Sequence, residues 1–339
     1  MNMNLKTLRS SLLIAAFAGV TTLAASDADP FLGRWALTIP GGGAGWLGVT
    51  KENGYYDASI LWGGGSVVPV SSVFFTEGQM WLMRVREVRR KDAAGKVVRT
   101  QQFTEAIIAR LDGEELRLTQ INPRENGEGM STEEFSGKRI PDMPAKPDLA
   151  KVKFGAPITL FDGNTLAGWR LTDAGAVNGW SVKDGILINN PFQEDGKPHK
   201  NYGNLRTEKE VEDFNLKLEV KVEKDNNSGI YLRGIYEVQV ADTYGRGLDS
   251  HNMGGIYSRI TPTVNAEKPP GEWQTYDITL VDRHVTVVLN GKTIIDNQPL
   301  LGCTGGAMWS DEFRPGPIYL QGDHTGVCYR NMVLKPAVK

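Results

Sequence analysis

The sequence predicts an all-β protein, a C-terminal two-sheet jelly-roll sandwich preceded by a smaller antiparallel β-barrel or curled meander. Three observations carry that expectation. Short runs rich in β-branched and aromatic residues recur along the chain, and helix-period patterns are scarce. The 39 glycines and 17 prolines punctuate those runs at the intervals that hairpins need. A length of 339 residues with 40% hydrophobic content is comfortable for two cores.

The chain opens on a segment outside the fold. Lys6 and Arg9 precede an apolar run over residues 12–20, and small residues end it at Ala24-Ala25. This is the layout of a secretory signal peptide over residues 1–25, so the expected location is periplasmic or secreted. The run is too short for a membrane span, and no second one follows, so none is expected after cleavage. No cysteine follows the cleavage region, so no lipid anchor is expected.

Residues 27–139 read as one β-domain. Strands are expected at 35–39, 46–50, 55–62, 67–75, 80–90, 97–110, 115–121 and 131–139, separated by turn signals such as Asn53-Gly54, Gly63-Gly64-Gly65 and Asp112-Gly113. Hairpin-linked neighbours in this number suggest an up-and-down barrel or a curled meander. Gly33-Arg34-Trp35 resembles the Gly-x-Trp opening of lipocalin-like barrels, and Trp35 is read as a plug at one end of a filled barrel. Three prolines within residues 140–147 preclude a central strand or a helix interior, so residues 140–151 form the linker. Residues 152–337 are again strand-rich. Strands are expected at 180–188, 214–223, 229–232, 236–241, 273–281, 284–289, 292–296, 318–321 and 327–334, and a turn at 207–212. Long glycine- and proline-rich loops fit a two-sheet sandwich.

Net charge is −2, leaving no basic excess to neutralise phosphates, so no nucleic-acid partner is expected. The chain lacks a P-loop, a Rossmann glycine fingerprint, a Gly-x-Ser-x-Gly elbow and a His-Glu-x-x-His helix, which removes a nucleotide cofactor and serine-hydrolase chemistry from the leading readings. Cys303 and Cys328 are the two cysteines. They pair in an oxidising compartment or stay as free thiols, and their spacing makes no zinc site.

Two stretches carry candidate chemistry. In Tyr236-Glu237-Val238-Gln239-Val240, strand alternation puts Tyr236, Val238 and Val240 on the core face and Glu237 with Gln239 on the other. That second face is either a solvated surface or a sugar cleft. In Gln321-Gly322-Asp323-His324, a histidine able to exchange a proton near neutral pH follows a strand end beside an acid that can orient it, and the alternative is a polar turn. Tyr231, Tyr244, Tyr257 and Trp309 offer faces for sugar rings, or pack in the core.

The same stretches, with Leu160-Phe161-Asp162-Gly163-Asn164-Thr165-Leu166-Ala167-Gly168-Trp169, Ser228-Gly229-Ile230-Tyr231-Leu232-Arg233, Lys268-Pro269-Pro270-Gly271-Glu272-Trp273, Val288-Leu289-Asn290-Gly291 and Tyr329-Arg330-Asn331-Met332, resemble the 3-keto-disaccharide hydrolase domain family. The resemblance runs in order over residues 154–336 and does not reach the N-terminal domain. It implies a concanavalin-like jelly roll acting on an oxidised (3-keto) glycoside substrate. The ketone acidifies the C2 proton, so a base can remove it and expel the C1 substituent before water adds back. By resemblance, Glu237 and His324 form the catalytic acid/base pair. Arg233, Gln239 and Gln321 bind the ketone and hydroxyls, with Asp323, Tyr231 and Trp309 also at the substrate. The chemistry admits a divalent metal ion to stabilise the enolate, with Glu237, Asp323 and His324 as the suspected ligands. A non-catalytic carbohydrate-binding module of the cell envelope is the alternative reading, because fold does not fix function.

Overall fold

The computed structural model describes residues 28–338, so the expected leader lies outside the described residues. The first part is a single nine-stranded antiparallel sheet. Its strands are β1 (Gly33–Thr38), β2 (Ala44–Glu52), β3 (Tyr55–Trp62), β4 (Val68–Pro69), β5 (Ser72–Thr76), β6 (Gln79–Lys91), β7 (Val97–Asp112), β8 (Glu115–Pro123) and β9 (Met130–Ile140). Their order is β4-β3-β2-β1-β9-β8-β7-β6-β5, with the first strand held between the second and the last. The sheet is a curled meander, and no ladder closes it into a barrel. The expected strand at 67–75 is two strands at opposite edges. Pro69 cannot extend the ladder, and the chain steps across there, with Val70 N–H donating to Ala58 O and Ser71 N–H to Met83 O. Trp35 is fully buried, donates its indole N–H to Phe31 O, and carries the Arg139 guanidinium over its ring at 4.1 Å.

The second part is a sandwich. Its strands continue as β10 (Lys153–Phe154), β11 (Ile158–Thr159), β12 (Trp169–Leu171), β13 (Trp180–Lys183), β14 (Ile186–Asn189), β15 (Leu205–Val211), β16 (Phe214–Val222), β17 (Asn227–Leu232), β18 (Tyr236–Ala241), β19 (Gln274–Val281), β20 (His284–Leu289), β21 (Lys292–Pro299), β22 (Gly316–Leu320) and β23 (Val327–Val338). One sheet runs β13-β14-β23-β16-β19-β20-β21, with β10 and β11 also on β23, and the other runs β12-β15-β22-β17-β18. Alternation builds the interior. Phe214, Leu216, Leu218, Val220 and Val222 of β16 are buried, and the residues between them are not. Two expectations change here. The run at 180–188 is a hairpin, because Asp184 and Gly185 both take the left-handed φ of a tight turn. The turn expected at 207–212 lies mostly within strand β15.

The two parts share packing and charge. Ala36, Trp46 and Leu61 of the first sheet belong to the sandwich's core cluster, and the Arg259 guanidinium stacks over the Trp46 ring at 4.3 Å. Below this contact, Glu312 is 1% exposed and ion-paired with Arg283 at 3.2 Å. Arg283 also donates to Asp142 O (2.8 Å) and Arg34 to Pro141 O (2.9 Å), which ties the linker down. Cys303 is buried, Cys328 is half-buried, and both are free thiols.

A buried carboxylate that loses its cation is costly. Arg283→Met is expected to lower stability by about 3–5 kcal/mol in urea denaturation, with Arg283→Met/Glu312→Gln recovering much of the loss.

Candidate active site

The five-stranded sheet positions the site through strand parity. On β17, β18 and β22, Ile230, Leu232, Val238, Val240, Ile318 and Leu320 point into the sandwich core. Their odd-numbered neighbours point the other way. Register then aligns Glu237 opposite Tyr231, and Tyr231 opposite Tyr319, so one row crosses three strands. The tyrosine rings stack at 4.2 Å between centroids with 10° between planes. In the next row Gly229 faces Gln239. A Cβ on Gly229 would lie 2.4 Å from Glu237 Oε1, so the absence of a side chain there makes room for the carboxyl.

Glu237, Tyr231 and Tyr319 line a cleft of about 310 Å³ with Asn204, Asn227, Tyr257, Gly305, Gly306, Gln321, Asp323 and His324, and with Gly64 and Gly65 of the first sheet. Glu237 is 4% exposed at its floor. Its backbone N–H donates to Thr304 Oγ1 at 2.9 Å. Burial pushes its carboxyl up to about 8, opposed by the Tyr231 hydrogen bond and the nearby His324. Tyr231 Oη lies 2.9 Å from Glu237 Oε2 and 2.8 Å from Gly305 O. A phenol has one hydrogen. With Glu237 ionised, Tyr231 can satisfy only one of those acceptors. With Glu237 protonated, the acid donates to the phenol and the phenol to the carbonyl, and all three groups are satisfied. Burial therefore favours the neutral acid, and in that form the hydrogen bonds of all three groups can still be met.

Across the cleft, His324 Nδ1 lies 2.7 Å from Asp323 Oδ1. The Asp323 hydrogen bond raises the imidazole above its ordinary value against some burial. Burial alone would raise the Asp323 carboxyl, but its hydrogen bond to His324, the attraction of that imidazole and the hydrogen bonds around its own backbone and Asn204 together hold it low. The dyad is thus an oriented imidazole with Nε2 available. Asn204 fixes the loop beneath it, since its Oδ1 accepts from Gly322 N–H (2.7 Å) and Asp323 N–H (3.2 Å), while its amide donates to Tyr319 Oη (3.0 Å). Two buried acceptors of the lining, Gln321 Oε1 and Asn227 Oδ1, have no partner among the described residues. Such atoms suit sugar hydroxyl donors.

Of the residues expected from sequence, the cleft brings together Glu237, His324, Gln321, Asp323 and Tyr231. It does not include Arg233, Gln239 or Trp309. Arg233 occupies the β17–β18 turn with a left-handed φ, and its buried guanidinium donates to the carbonyls of Glu312 and Arg314. Gln239 is buried with Oε1 3.1 Å from Val240 N. Trp309 packs against the core under the Arg314 guanidinium at 4.1 Å. Tyr257 lines the cleft and Tyr244 does not. Sequence reasoning missed Asn204, Asn227, Tyr319 and the glycines. The parity of Tyr319 with Gln321 could have found the tyrosine. Asn204 carried no signal.

The suspected metal ligands Glu237, Asp323 and His324 line one cleft but do not form a metal-holding group. No three His, Cys, Asp or Glu side chains converge among the described residues, and the cleft's candidates are engaged as a His–Asp pair and a Glu–Tyr pair. That donor set does not fit a cation held by protein ligands, and no step below runs through one. A larger cleft of about 680 Å³ lies on the first sheet around Ile39, Arg110, Arg117 and Glu134. Its charged side chains are solvent-exposed, so it offers no desolvated acid or base.

Comparison with known proteins gives a family match. The model of the family described as 3-keto-alpha-glucoside-1,2-lyase-like domain matches residues 156–335, more than half of the chain. No curated protein matches. One solved structure, provisionally named a glycosyl hydrolase, comes from Parabacteroides distasonis ATCC 8503. It is 30% identical over 56% of this chain and 92% of its own, with a TM-score of 0.44. A second from that organism, named in the same way, is 22% identical over 53% and 93%, also at 0.44. The carbohydrate binding module CBM66 from Bacillus subtilis is 12% identical over 49% and 93%, at 0.30.

The raised carboxyl gives a stability prediction. Folded Glu237 holds its proton up to about 8, against an ordinary 4.5, so the folded state binds more protons than the unfolded state between those values. Its contribution to stability is therefore lost as pH rises through that window. Glu237→Gln, which keeps the shape without the charge, is expected to raise Tm relative to wild type by a few degrees (about 2–4 °C per kcal/mol regained) at pH 8, and by less at pH 5. Thermal melts at the two pH values read the difference.

Proposed function

The chain belongs to the 3-keto-alpha-glucoside-1,2-lyase-like domain family, and from that premise we propose that it is an exported enzyme cleaving 3-keto-glycosides by elimination followed by hydration. One observation carries the reading: a buried Glu237 and an Asp-oriented His324 line the same small cleft. That is one acid and one base whose proton affinities are both raised, Glu237 by burial and His324 by its hydrogen bond to Asp323.

Neutral His324, its Nδ1–H donated to Asp323, takes the C2 proton through Nε2. The electron pair left on C2 delocalises into the C3 ketone as an enolate. As the enolate collapses to the C1=C2 double bond, the C1–O bond breaks and Glu237 gives its proton to the leaving oxygen. Water then adds to C1. Glu237, now a carboxylate, accepts the water's proton, and His324 returns its proton to C2. Atoms balance to net hydrolysis and both groups regain their starting states. Asn227 Oδ1 and Gln321 Oε1 accept from ring hydroxyls and hold the sugar. Glycosidases of the ordinary kind use two free carboxylates flanking the bond. Here Asp323 is committed to His324, which favours proton abstraction over direct displacement at C1. A carbohydrate-binding module is the second reading, and the unpartnered amide oxygens favour it equally. The acid/base pair is what sets the enzyme ahead.

The reading is tested with a chromogenic 3-keto-glucoside beside its unoxidised parent, with and without chelator. Release from the keto compound alone is expected, and release from neither leaves the binding module. The pH profile of kcat/KM should be a bell. Its acid limb lies above the ordinary histidine value, where His324 becomes neutral, and its alkaline limb lies near 8, where Glu237 ionises. Glu237→Gln and His324→Ala should each lower kcat by about 10²–10⁴-fold. Wild-type turnover by Glu237→Gln would remove its role.

A further inference from the structure

The family match begins at residue 156, yet one wall of the cleft comes from the N-terminal sheet. Gly64 and Gly65, in the bend after β3, line it opposite the catalytic floor. The bend is fastened along its length. Gly306 N–H donates to Gly63 O at 3.4 Å, and Val67 N–H donates to Ser258 Oγ at 2.8 Å. Ser66 Oγ lies 2.8 Å from His251 Nε2, and the Nδ1 of that ring is held 2.5 Å from Asp249 Oδ1. Packing at the wall is backbone on backbone. A Cβ on Gly305 would lie 2.1 Å from Gly65 O, and one on Gly306 would lie 2.6 Å from Tyr231 Oη. Behind it, a Cβ on Gly302 would strike the Trp46 indole at 2.3 Å. The layers run from Tyr231 through the Gly305-Gly306 peptide to Gly65, with no side chain between them.

We propose that the Gly63-Gly64-Gly65 bend is the specificity-determining wall of the cleft, and that its bare backbone admits glycosides whose second group is a bulky ring. The proposal rests on the glycoside-cleaving reading. At about 310 Å³ the cleft is at the small end of the roughly 300–1,000 Å³ typical of ligand sites. It holds one sugar ring, and the group attached at C1 must pass along a wall. Gly63 and Gly65 have left-handed φ values and Gly64 does not, so only position 64 accepts an L side chain without backbone strain. A Cβ there meets no atom within 4 Å. A side chain at 64 therefore meets no clash and no backbone strain, and on this proposal it extends along the wall.

The test is the series Gly64→Ala, Gly64→Val and Gly64→Phe in the full chain, assayed on 3-keto-glucosides bearing methyl, phenyl and glucosyl groups at C1. With the phenyl and glucosyl substrates, KM should rise in step with side-chain size, reaching about tenfold or more in Gly64→Phe. Values for the methyl glucoside should stay within about twofold of wild type, and Tm should not move. Equal losses on all three substrates, or a flat series, would overturn the wall while wild-type turnover leaves the catalytic reading standing. Failure of the wild-type protein to cleave any of the three removes that reading, and the wall with it.

Discussion

The arrangement of this protein depends on keeping one carboxyl away from water. Glu237 sits on a strand whose other face is the sandwich core, and its own face is covered by the Thr304–Gly306 segment. Burial of an acid without a cation is unfavourable unless the group stays neutral. No cation is supplied within the cleft other than the imidazole, and the Tyr231 phenol with the Gly305 carbonyl completes a hydrogen-bond chain that suits the protonated form. Gly229 and Gly306 are consequences of the same constraint, since they make room for the carboxyl and the phenol where a methyl group would collide.

That cover in turn depends on the N-terminal sheet. The segment at 302–306 passes between Trp46 and Tyr231, and it is held from the far side by the Gly63–Val67 bend. Arg259, stacked on Trp46, donates to Cys303 O at 3.1 and 2.5 Å. The buried Glu312–Arg283 pair and the arginine contacts to the linker carbonyls fix the two sheets below this point. The N-terminal part is therefore continuous with the wall of the cleft, and changes in its bend act on the site directly.

Much of this was legible from sequence, for identifiable reasons. Strand parity placed Glu237 off the core face, and the Asp323-His324 pair survived as a dyad because adjacent residues need little tertiary help to meet. The same parity argument misplaced Gln239. It shares Glu237's face, but alternation cannot say which part of a face is open. Arg233 is expected at the substrate on the family resemblance alone. Its left-handed turn instead aims it at the Glu312 and Arg314 carbonyls, which no local pattern encodes. Val67 to Phe75 reads as one strand because β-branched and aromatic residues stand on both sides of Pro69, whose missing N–H breaks the ladder. The glycine bend read as a turn between hairpins. Its approach to Gly305 is a contact between residues 240 positions apart, invisible to spacing.

The choice between enzyme and binding module turns on what each function requires. A binding surface needs stacking faces and hydroxyl partners, and Asn227, Gln321 and Tyr257 would serve without any titratable group. It gains nothing from a carboxyl held in a desolvated position, because the charged form is disfavoured there and the neutral form binds no better than an amide. A proton-transfer enzyme needs that desolvation, since it is what keeps an acid loaded near neutral pH while a neighbouring imidazole is free to act as base. Burial would otherwise act on both groups toward the neutral state. The Asp323 carboxylate more than offsets it for His324, so both affinities lie above their ordinary values and leave a narrow pH interval in which one group can give a proton as the other takes one.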